Sequence, residues 1–306
     1  MLDLTRLRVF REVASRRSFS AAADALDYTQ SAVSQQVSKL ERDVGLTLVE
    51  RGTRPIGLTE AGHTLFSRTE VIFGEVATAE SELRALAGLE SGTLRLGGFA
   101  TACATLLPRA ITLFAARAPG VTVRLSEMEP GLARRQLRAA ELDLAVTYRF
   151  GDAEPAAPDD GLEAVAVARD PFVLALPEGH RLARRRSLRL AELSDEQWLG
   201  APAVGTAAGY RDFVVRLCRD AGFEPSIAFE PGDLWTGRGI IAAGLAVGLM
   251  PQLAFTVPYP GVAIRRLAGV APTRTILAVQ VPGRRLPATA PMLDCLADAF
   301  ADSAAG

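Results

Sequence analysis

Residues 29–41 read TQSAVSQQVSKLE, and two side-chain stripes run along this stretch. Val33, Val37 and Leu40 recur at the spacing of one helix face, so they predict a helix whose apolar side is buried. The second stripe is polar but uncharged and consists of Ser31, Ser34, Gln35 and Ser38. Because a face that is only solvated usually carries Lys, Glu or Arg, this neutral face calls for another explanation.

The flanking sequence predicts short elements joined by tight turns. SFSAAADAL, at residues 18–26, predicts a preceding helix with Ser20 as its N-cap, and DYT then makes a turn in which Thr29 caps the next helix. After that helix, LTLVE and PIGLT are strand-like runs on either side of RGTRP, and they predict a hairpin with a charged tip. We place the first domain at residues 1–59.

Residues 60–90 are predicted to form a linker whose helix covers residues 60–88 without a proline. Its apolar positions alternate at spacings of four and three residues, which is a heptad pattern and favours a dimerising coiled coil. These positions are Leu65, Thr69, Ile72, Val76, Ala79, Leu83 and Leu86. The alternative is a helix that packs on a domain of its own chain.

From residue 92 onward, apolar strand-like runs alternate with helical segments, so residues 91–306 are predicted to form an α/β domain around a mostly parallel sheet. Within it, LEAVAVARDPFVLALP at residues 162–177 is interpreted as two strands. The fold class is thus α+β and multidomain, with a helical head, a long linker helix and an α/β domain.

Composition limits the function classes. The 306 residues carry a formal net charge of -1, and nine basic against eight acidic residues leave the first 60 at +1, so overall charge favours no nucleic-acid partner. The amino terminus has no apolar signal core and no run is long enough to span a membrane, which predicts a cytoplasmic protein. Three scattered cysteines and two histidines suggest neither a disulfide framework nor a zinc site, and no cofactor is expected.

At this point the sequence resembles the LysR-type transcriptional regulators over essentially the whole chain. The resemblance is carried by FREVASRRSFSAAADALDYTQSAVSQQVSKLERDVGLTLVERGTRPIGLTEAGHTL at residues 10–65. Further matches follow in the family's order: LLPRAITLFAARAPGVTVRLSE, LRAAELDLAV, DPFVLALPEGHRLA and AAGLAVGLMP. It implies a winged helix-turn-helix, a dimerising linker helix and a two-lobed effector domain like a periplasmic binding protein, with lobe I at about residues 91–161 and 269–306 and lobe II at about 162–268.

The resemblance also implies homodimers, and further homotetramers, that bind double-stranded promoter DNA and respond to a small-molecule effector, with RNA polymerase as a further candidate partner. In a helix-turn-helix the second helix enters the major groove, where Gln and Ser hydrogen-bond base edges, which suits the neutral face. The alternative is a solvated helix that lacks charges. The candidate DNA-binding residues are Ser20, Thr29, Gln30, Ser31, Ser34, Gln35, Lys39, Arg51 and Arg54. Many family members carry Arg where this chain has Gln35, which alters the expected base preference. Lys39 and the two wing arginines also fit simple surface charges.

The effector site is expected between the lobes, outside the carboxyl ends of strands. GGFATACATLLP ends a strand and opens a helix, so the Thr101 hydroxyl and backbone N–H groups such as that of Ala102 suit an anionic or carbonyl group; Thr101 also fits a simple N-cap. Weaker candidates are Glu129, Tyr148, Pro202, Thr206 and Trp235. Trp235 fits either a cleft wall or the core, and a Glu129 that faces the cleft argues against a strongly anionic ligand.

Cys103 lies beside the same helix start, which raises the hypothesis that it senses oxidants. The alternative is that Cys103 is simply a small buried residue, since no second cysteine that could form a disulfide with it is close in sequence.

Two rival functions remain. A small-molecule-binding protein without a DNA role leaves residues 1–88 unexplained. An enzyme is disfavoured because LGGFATA does not match G-x-G-x-x-G, no P-loop occurs, and neither His63 nor His180 has a convincing partner in the local sequence, so no catalytic residue is predicted.

Overall fold

The structure is a computed structural model that describes residues 2–50, 55–86, 92–151, 161–202, 208–283 and 286–304. The chain divides into two units, residues 1–87 and, apart from residues 138–140, residues 88–306. Each unit has its own hydrophobic core, and the two are described separately below.

The first unit begins with three helices, α1 Leu4–Arg16, α2 Phe19–Leu26 and α3 Gln30–Val44. Thr29 caps α3 as predicted, because its hydroxyl accepts a hydrogen bond from the Ala32 backbone N–H at 3.2 Å. The predicted Ser20 cap is wrong. Ser18 has the extended backbone of a cap and accepts from the Ala21 N–H at 3.3 Å, whereas Ser20 already lies inside α2.

The apolar stripe of α3 holds the three helices together. Val33, Val37 and Leu40 are fully buried, and they share one core with Phe10 and Val13 of α1. Since burial of each large aliphatic side chain is worth about 1.5–3 kcal/mol, this stripe is the main attachment of α3 to its unit.

The wing is a hairpin of two short antiparallel strands, β1 Val49–Glu50 and β2 Gly57–Leu58, as predicted from the two strand-like runs. Its first strand is tied to α3, because the Glu41 carboxylate accepts hydrogen bonds from the backbone N–H groups of Leu48 at 2.9 Å and Val49 at 3.3 Å. The helix and the wing are therefore positioned together. The predicted hairpin tip, residues 51–54, lies outside the described residues.

The linker helix, α4, covers Glu60–Leu86. In its first half the heptad positions are already occupied, because Thr69 is fully buried and Leu65 and Ile72 pack against the core of the first unit. The single-chain alternative therefore accounts for this half. In the second half Leu83 is 66% exposed and Ala79 is also exposed in the monomer.

The second unit contains ten strands, β3 Gly92–Gly98, β4 Val121–Glu127, β5 Leu144–Phe150, β6 Glu163–Pro177, β7 Ser187–Leu188, β8 Gln197–Leu199, β9 Ser226–Phe229, β10 Gly248–Pro251, β11 Val262–Leu267 and β12 Thr273–Gln280, within the part of the chain described. The large sheet has the order β4-β3-β5-β12-β6-β11-β7, with β10 also paired to β6, while β8 and β9 form a separate parallel pair.

This sheet is mixed, so the prediction of a mostly parallel sheet is wrong. β3 is parallel to β4 and β5, and β7 is parallel to β11. However, β12 enters between β5 and β6 and runs antiparallel to both, and β6 is antiparallel to β10 and β11. Alternation of strands and helices in the sequence did not reveal this returning strand.

The segment 162–177 contains one strand, β6 Glu163–Pro177, where two were predicted. Its first part, residues 163–171, pairs with β12, and its second part, residues 172–177, pairs with β10 and β11. The two lobes of the unit therefore share β6, and the change of partner strands falls at Pro171, which has no backbone N–H to donate.

The helices cover the two lobes and have the bounds α5 Leu107–Arg117, α6 Pro130–Arg138, α7 Ala208–Asp220, α8 Leu234–Ala242 and α9 Thr289–Ala304. A π-helical turn at Ala102–Leu106 leads into α5. One core packs α5 and α9 against β3, β5 and β12, and a second one centres on Trp198, Phe172 and Phe213. Among the described residues, no helix combines the length and apolarity needed to cross a membrane.

The start of α4 yields a test of how the linker is attached. A methyl group on Gly62 would overlap the Leu48 carbonyl oxygen, which is backbone and does not move freely. We expect Gly62→Ala to lower the free energy of unfolding by about 1–3 kcal/mol, as for other overpacked sites.

Gly74→Ala is the matched control in the same helix, because an added methyl there meets no atom closer than 3.7 Å. This change should be neutral or slightly stabilising, since Ala favours helix over Gly. Chemical denaturation of both full-length variants measures the difference; equal stability would contradict the close approach of α4 to the wing.

Candidate DNA-binding face and effector cavity

The neutral face of α3 points to solvent at its amino-terminal end. Gln30, Ser31 and Gln35 are exposed and Ser34 is half-buried. The hydroxyl of Ser31 lies 3.0 Å from that of Thr29, so the cap residue and the first turn form one polar group. The structure thus gathers these side chains on the surface that the buried stripe leaves free.

The other DNA-binding candidates are more scattered. Ser20 is exposed on α2, with its hydroxyl 3.0 Å from that of Ser18, and Lys39 lies one helical turn beyond Gln35. Arg51 and Arg54 lie outside the described residues. The described candidates therefore form a continuous polar group only around the start of α3.

The second unit contains a cavity of about 200 Å³ between its two lobes. It lies at the carboxyl ends of β3, β4 and β5 from one lobe and of β8 and β10 from the other, the place where open α/β sheets bind ligands. Five aromatic side chains line it, and they are Phe99, Tyr148, Phe150, Phe172 and Tyr210. The wall is thus apolar with a few polar groups, as in most small-molecule sites.

A buried ion pair forms one side of the cavity. The Arg274 guanidinium donates to the Asp170 carboxylate from Nε at 2.9 Å and from Nη2 at 2.7 Å, and the two residues are 5% and 1% exposed. Burial raises the pKa of Asp170 and lowers that of Arg274, while the opposite charge of each partner counteracts both shifts. The Leu253 backbone N–H also donates to Asp170 at 3.1 Å, so the pair links both lobes.

Thr101 belongs to the same network. Arg274 Nη2 donates to the Thr101 hydroxyl oxygen at 2.6 Å. Because a guanidinium can only donate, the hydroxyl is the acceptor in this contact and its own proton remains to be donated elsewhere. Thr101 is also helical and makes no capping bond through its side chain, so the simple N-cap alternative is excluded.

Two aromatic rings enclose the guanidinium. The Arg274 Cζ atom lies 4.8 Å from the ring centroid of Phe99 and 5.0 Å from that of Tyr148. Burial and the negative charge of Glu129 raise the pKa of Tyr148 to about 12, so its phenol stays protonated at neutral pH. The phenol is thus available as a neutral hydrogen-bonding group at the cavity wall.

Three carboxylates stand at the cavity. Glu127 ends β4 and is exposed, Glu129 follows it and is half-buried, and Asp233 faces them from the other lobe. Asp233 caps α8, and hydrogen bonds from the backbone N–H and the hydroxyl of Thr236 lower the pKa of its carboxyl group, which is therefore ionised at neutral pH.

Only part of the predicted effector set lines the cavity. Thr101, Glu129 and Tyr148 do, whereas Ala102 is fully buried in the core of its lobe and Pro202 is half-buried beside the lining residue Ala201. Thr206 lies outside the described residues.

Trp235 lies neither in the cleft wall nor in the core, the two positions considered for it. It is 69% exposed, under the Arg238 guanidinium at 4.4 Å from the ring centroid. The reason is helix geometry: Leu234 and Gly237 of α8 face the cavity, and Trp235 is rotated by about 100° from Leu234.

Sequence reasoning missed Arg274 and most of the aromatic wall. A signal existed for the ion pair, because Arg274 opens the apolar run TRTILAVQV and Asp170 interrupts ARDPFVLAL. A charge inside an apolar strand needs a partner. The partner of each was hidden, since the two residues are 104 positions apart.

Two of the three cysteines have pKa values well above the ordinary range. Burial, with a smaller effect of Glu127, raises the pKa of Cys103 to about 11, and burial also raises the pKa of Cys218 to about 12. Thiols with such pKa values are almost entirely protonated at neutral pH, and the thiolate is the form that peroxide oxidises. All three cysteines are free thiols.

The described residues contain no group of His, Cys, Asp and Glu suited to a metal ion. His180 Nε2 lies 3.0 Å from a Glu196 carboxylate oxygen, and its Nδ1 accepts from the Leu182 N–H at 3.2 Å. Both ring nitrogens thus hold a turn, as predicted, but the side chain is only 10% exposed and not at the surface.

The buried pair of Arg274 with Asp170 leads to a prediction about stability. Arg274→Met should lower the free energy of unfolding by about 3–5 kcal/mol, because Asp170 would be left buried without its partner. The double variant Asp170→Asn, Arg274→Met should recover part of this loss. Chemical denaturation provides the measurement.

As a control, Arg219→Met removes the pair of Arg219 with Glu224, which should change the stability little because both side chains are exposed to solvent and screened. Equal losses for Arg274→Met and the control would show that burial adds nothing to the Arg274–Asp170 pair.

Comparison with known proteins places these features in a family. Residues 4–63 match the bacterial regulatory helix-turn-helix protein, lysR family, and residues 87–301 match the LysR substrate binding domain. The chain is 34% identical over 287 residues to a probable hydrogen peroxide-inducible genes activator of Mycobacterium avium, with 92% of this chain and 85% of that protein covered. It is 33% identical over 252 residues to the regulator CfxR of Cupriavidus necator, covering 81% of this chain and 75% of that one.

Solved structures agree. Full-length CbnR in complex with its target DNA superposes with a TM-score of 0.66 at 25% identity, covering 97% of this chain and all (100%) of that chain. A full-length OxyR variant of Pseudomonas aeruginosa has a TM-score of 0.73 at 23% identity, over 97% of this chain and 95% of that one, and shows the shared fold. The chain therefore belongs to the LysR family of transcriptional regulators.

Proposed function

We propose that this regulator binds promoter DNA as an oligomer and changes transcription when a small-molecule effector enters the cavity between its lobes. The observation that carries the DNA-binding part is the exposed neutral face at the start of α3, opposite the fully buried Val33, Val37 and Leu40. Support comes from the related structure of CbnR, which was solved with its target DNA.

Base reading is assigned to Gln30, Ser31, Ser34 and Gln35. Gln pairs with adenine through two hydrogen bonds, and Ser serves as donor or acceptor to several bases. Ser20, Thr29 and Lys39 suit contacts to phosphates around this face, and Arg51 and Arg54 at the wing suit phosphates or a narrow minor groove.

We propose domains at residues 1–59, 60–90 and 91–306, with the linker helix as the dimerisation element. Because the first half of its apolar stripe is used within the first unit, dimer contacts are assigned to the second half, around Ala79 and Leu83. Pairs of dimers would form a tetramer that bends the promoter, and contact with RNA polymerase fits such a promoter-bound assembly. A protein that acts on promoters works in the cytoplasm of a bacterial cell.

Effector control is assigned to the cavity. Its ion pair joins residues from both lobes, so a ligand that contacts Thr101 or Tyr148 acts on groups that connect them. A ligand shifts the balance between two arrangements only by its difference in affinity for them. The proposal excludes enzymatic turnover and a resident cofactor.

The alternative is a small-molecule-binding protein without a DNA role, for which the same cavity would suffice. This alternative gives no function to the neutral face of α3 or to the rest of the first unit. A mobility-shift assay with DNA fragments selected from a random pool separates the two proposals, since only a regulator enriches a defined sequence.

The base-reading assignment leads to a specificity test. Ser34→Ala or Gln35→Ala should change which sequence is preferred, with about 1–3 kcal/mol lost at the base pair concerned. Arg54→Ala should instead weaken binding to all sequences and reduce the salt slope by about one. Selection from a random pool, followed by titration at several salt concentrations, measures both effects.

Ser187→Ala, an exposed serine of the second unit, is the control and should change neither property. If the two α3 variants and Arg54→Ala lose affinity evenly across sequences, the neutral face is solvated surface.

Peroxide sensing can be tested separately, because one relative is a probable peroxide-inducible activator. The raised pKa values of Cys103 and Cys218 predict slow oxidation. Hydrogen peroxide should therefore leave DNA affinity and the titre of free thiols unchanged, as measured by mobility shift and thiol labelling. A change in affinity that Cys103→Ser abolishes would establish redox sensing.

A further inference from the structure

Lobe II contains a second cavity, apart from the one between the lobes. Its volume is about 410 Å³, and it shares no wall residue with the first cavity. It is formed by β11, by the turn that follows β6 and by the segment that follows β10. The wall residues that matter below are Glu178, Arg184, Phe255, Pro258, Ile264 and Arg265. A space of this size accommodates a small organic molecule.

Arg265 stands on the core side of the sheet. Because side chains alternate along a strand, Arg265 of β11 points to the same side as Leu267. Leu267 packs against a hydrophobic core of lobe II, and Leu174, which lies opposite Arg265 in the strand register, is fully buried in that core. The Arg265 side chain is itself half-buried. A charge in such a place needs a partner of opposite charge, as Arg274 has in Asp170.

No carboxylate among the described residues pairs with Arg265. Its Nη1 donates to the Ile264 carbonyl and its Nη2 to the Ala183 carbonyl, and both of these acceptors are neutral. Its buried Nε atom meets no acceptor in the part of the chain described. Glu178 is exposed in the same cavity wall and forms no ion pair with it. The guanidinium therefore keeps an uncompensated charge and one N–H group without an acceptor.

A second arginine and an apolar surface complete the wall. Arg184 is exposed and makes no ion pair with any described residue. Two arginines against one glutamate leave the described wall with a formal charge of +1. Phe255 and Pro258 add apolar surface beside these charges. Guanidinium groups match the geometry of carboxylate and phosphate oxygens, so the wall suits an anion that carries an apolar part.

We infer that this cavity is a second ligand site, which binds an organic anion: a carboxylate or phosphate group on an apolar body. The anionic group accepts hydrogen bonds from Arg265 Nε and from Arg184, and the apolar body packs against Phe255 and Pro258. The bound anion supplies the opposite charge that the protein itself does not give to Arg265. The site lies outside the proposed effector cavity, and the inference does not depend on the proposed function.

Four probes test this site on the full-length protein: phenylacetate, phenyl phosphate, 2-phenylethanol and inorganic phosphate. The first three share a ring and differ in the polar group, and the fourth has the anionic group alone. Binding is measured by calorimetric titration and by thermal shift, since a ligand of the folded state raises its melting temperature. We expect the tighter of the two aromatic anions to bind at least about tenfold better than the alcohol, and its identity tells carboxylate from phosphate. Inorganic phosphate should bind more weakly than phenyl phosphate, because it buries no apolar surface.

Arg184→Gln tests where the anion binds. This change should reduce the affinity for the tighter anion about tenfold, because a charge-assisted hydrogen bond is lost. Arg186→Gln is the matched control, since Arg186 is also exposed, lies two residues further along the chain and does not line the cavity. Both variants change the net charge equally, so a general electrostatic effect would lower the affinity to the same extent in each.

Arg265→Met separates ligand binding from a purely structural role. If Arg265 only holds the Ile264 and Ala183 carbonyls, the variant is less stable but the anion raises its melting temperature as in the unchanged protein. If Arg265 binds the anion, this rise is lost. Should the variant fail to fold, Arg184→Gln against Arg186→Gln decides.

Three results would overturn the inference. The first is that no aromatic anion binds, or that the alcohol binds as tightly. The second is an equal loss of affinity in Arg184→Gln and Arg186→Gln. The third is anion binding that survives both Arg184→Gln and Arg265→Met, which would place the ligand in another part of the protein.

Discussion

The ion pair of Arg274 with Asp170 organises the second unit. Two charges taken out of water are tolerated only when each is fully paired, and here the pairing requires β6 and β12 to lie side by side in one register. The Asp170 carboxylate also accepts a hydrogen bond from the Leu253 backbone N–H, and the Arg274 guanidinium also donates to the Thr101 hydroxyl oxygen. One buried interaction therefore aligns the strand pairing, the lobe connection and the polar corner of the cavity.

In the first unit, the two faces of α3 have different roles. Burial of Val33, Val37 and Leu40 fixes the rotation of α3, and that rotation alone decides which side chains reach the surface. Glu41 then sets the wing relative to the helix by accepting two backbone hydrogen bonds of the first strand. The polar residues contribute little to this packing, so they can change without loss of the helix position.

Local patterns in the sequence predicted the head well, because its helices, cap at Thr29 and hairpin depend on near neighbours. The error at Ser20 has a local cause too: two serines, at 18 and 20, can both cap, and the extended backbone at Ser18 decides. For the linker, the heptad pattern was real, but a pattern does not say which partner fills it, and half of it packs within the chain.

Long-range features were out of reach. β12 pairs antiparallel with β6 although it follows β6 by roughly a hundred residues in the sequence, and the cavity combines residues of both lobes. Thr101, Glu129 and Tyr148 were found because each follows or ends a strand, a position that topology alone marks as a site. Phe172, Tyr210 and Arg274 come from elements whose meeting point only the fold reveals, and Trp235 was misplaced because one residue along a helix changes direction by about 100°.

The continuity of β6 bears on how a signal travels. Flexible connectors would let the two lobes move independently. Here a single 15-residue strand, hydrogen-bonded to neighbours before and after Pro171, belongs to both lobes and restricts such movement. Any change in the angle between the lobes must then be accommodated by β6 and by the strands paired with it, β12 and β11. The two lobes are therefore joined through the sheet itself, and not only through connecting segments.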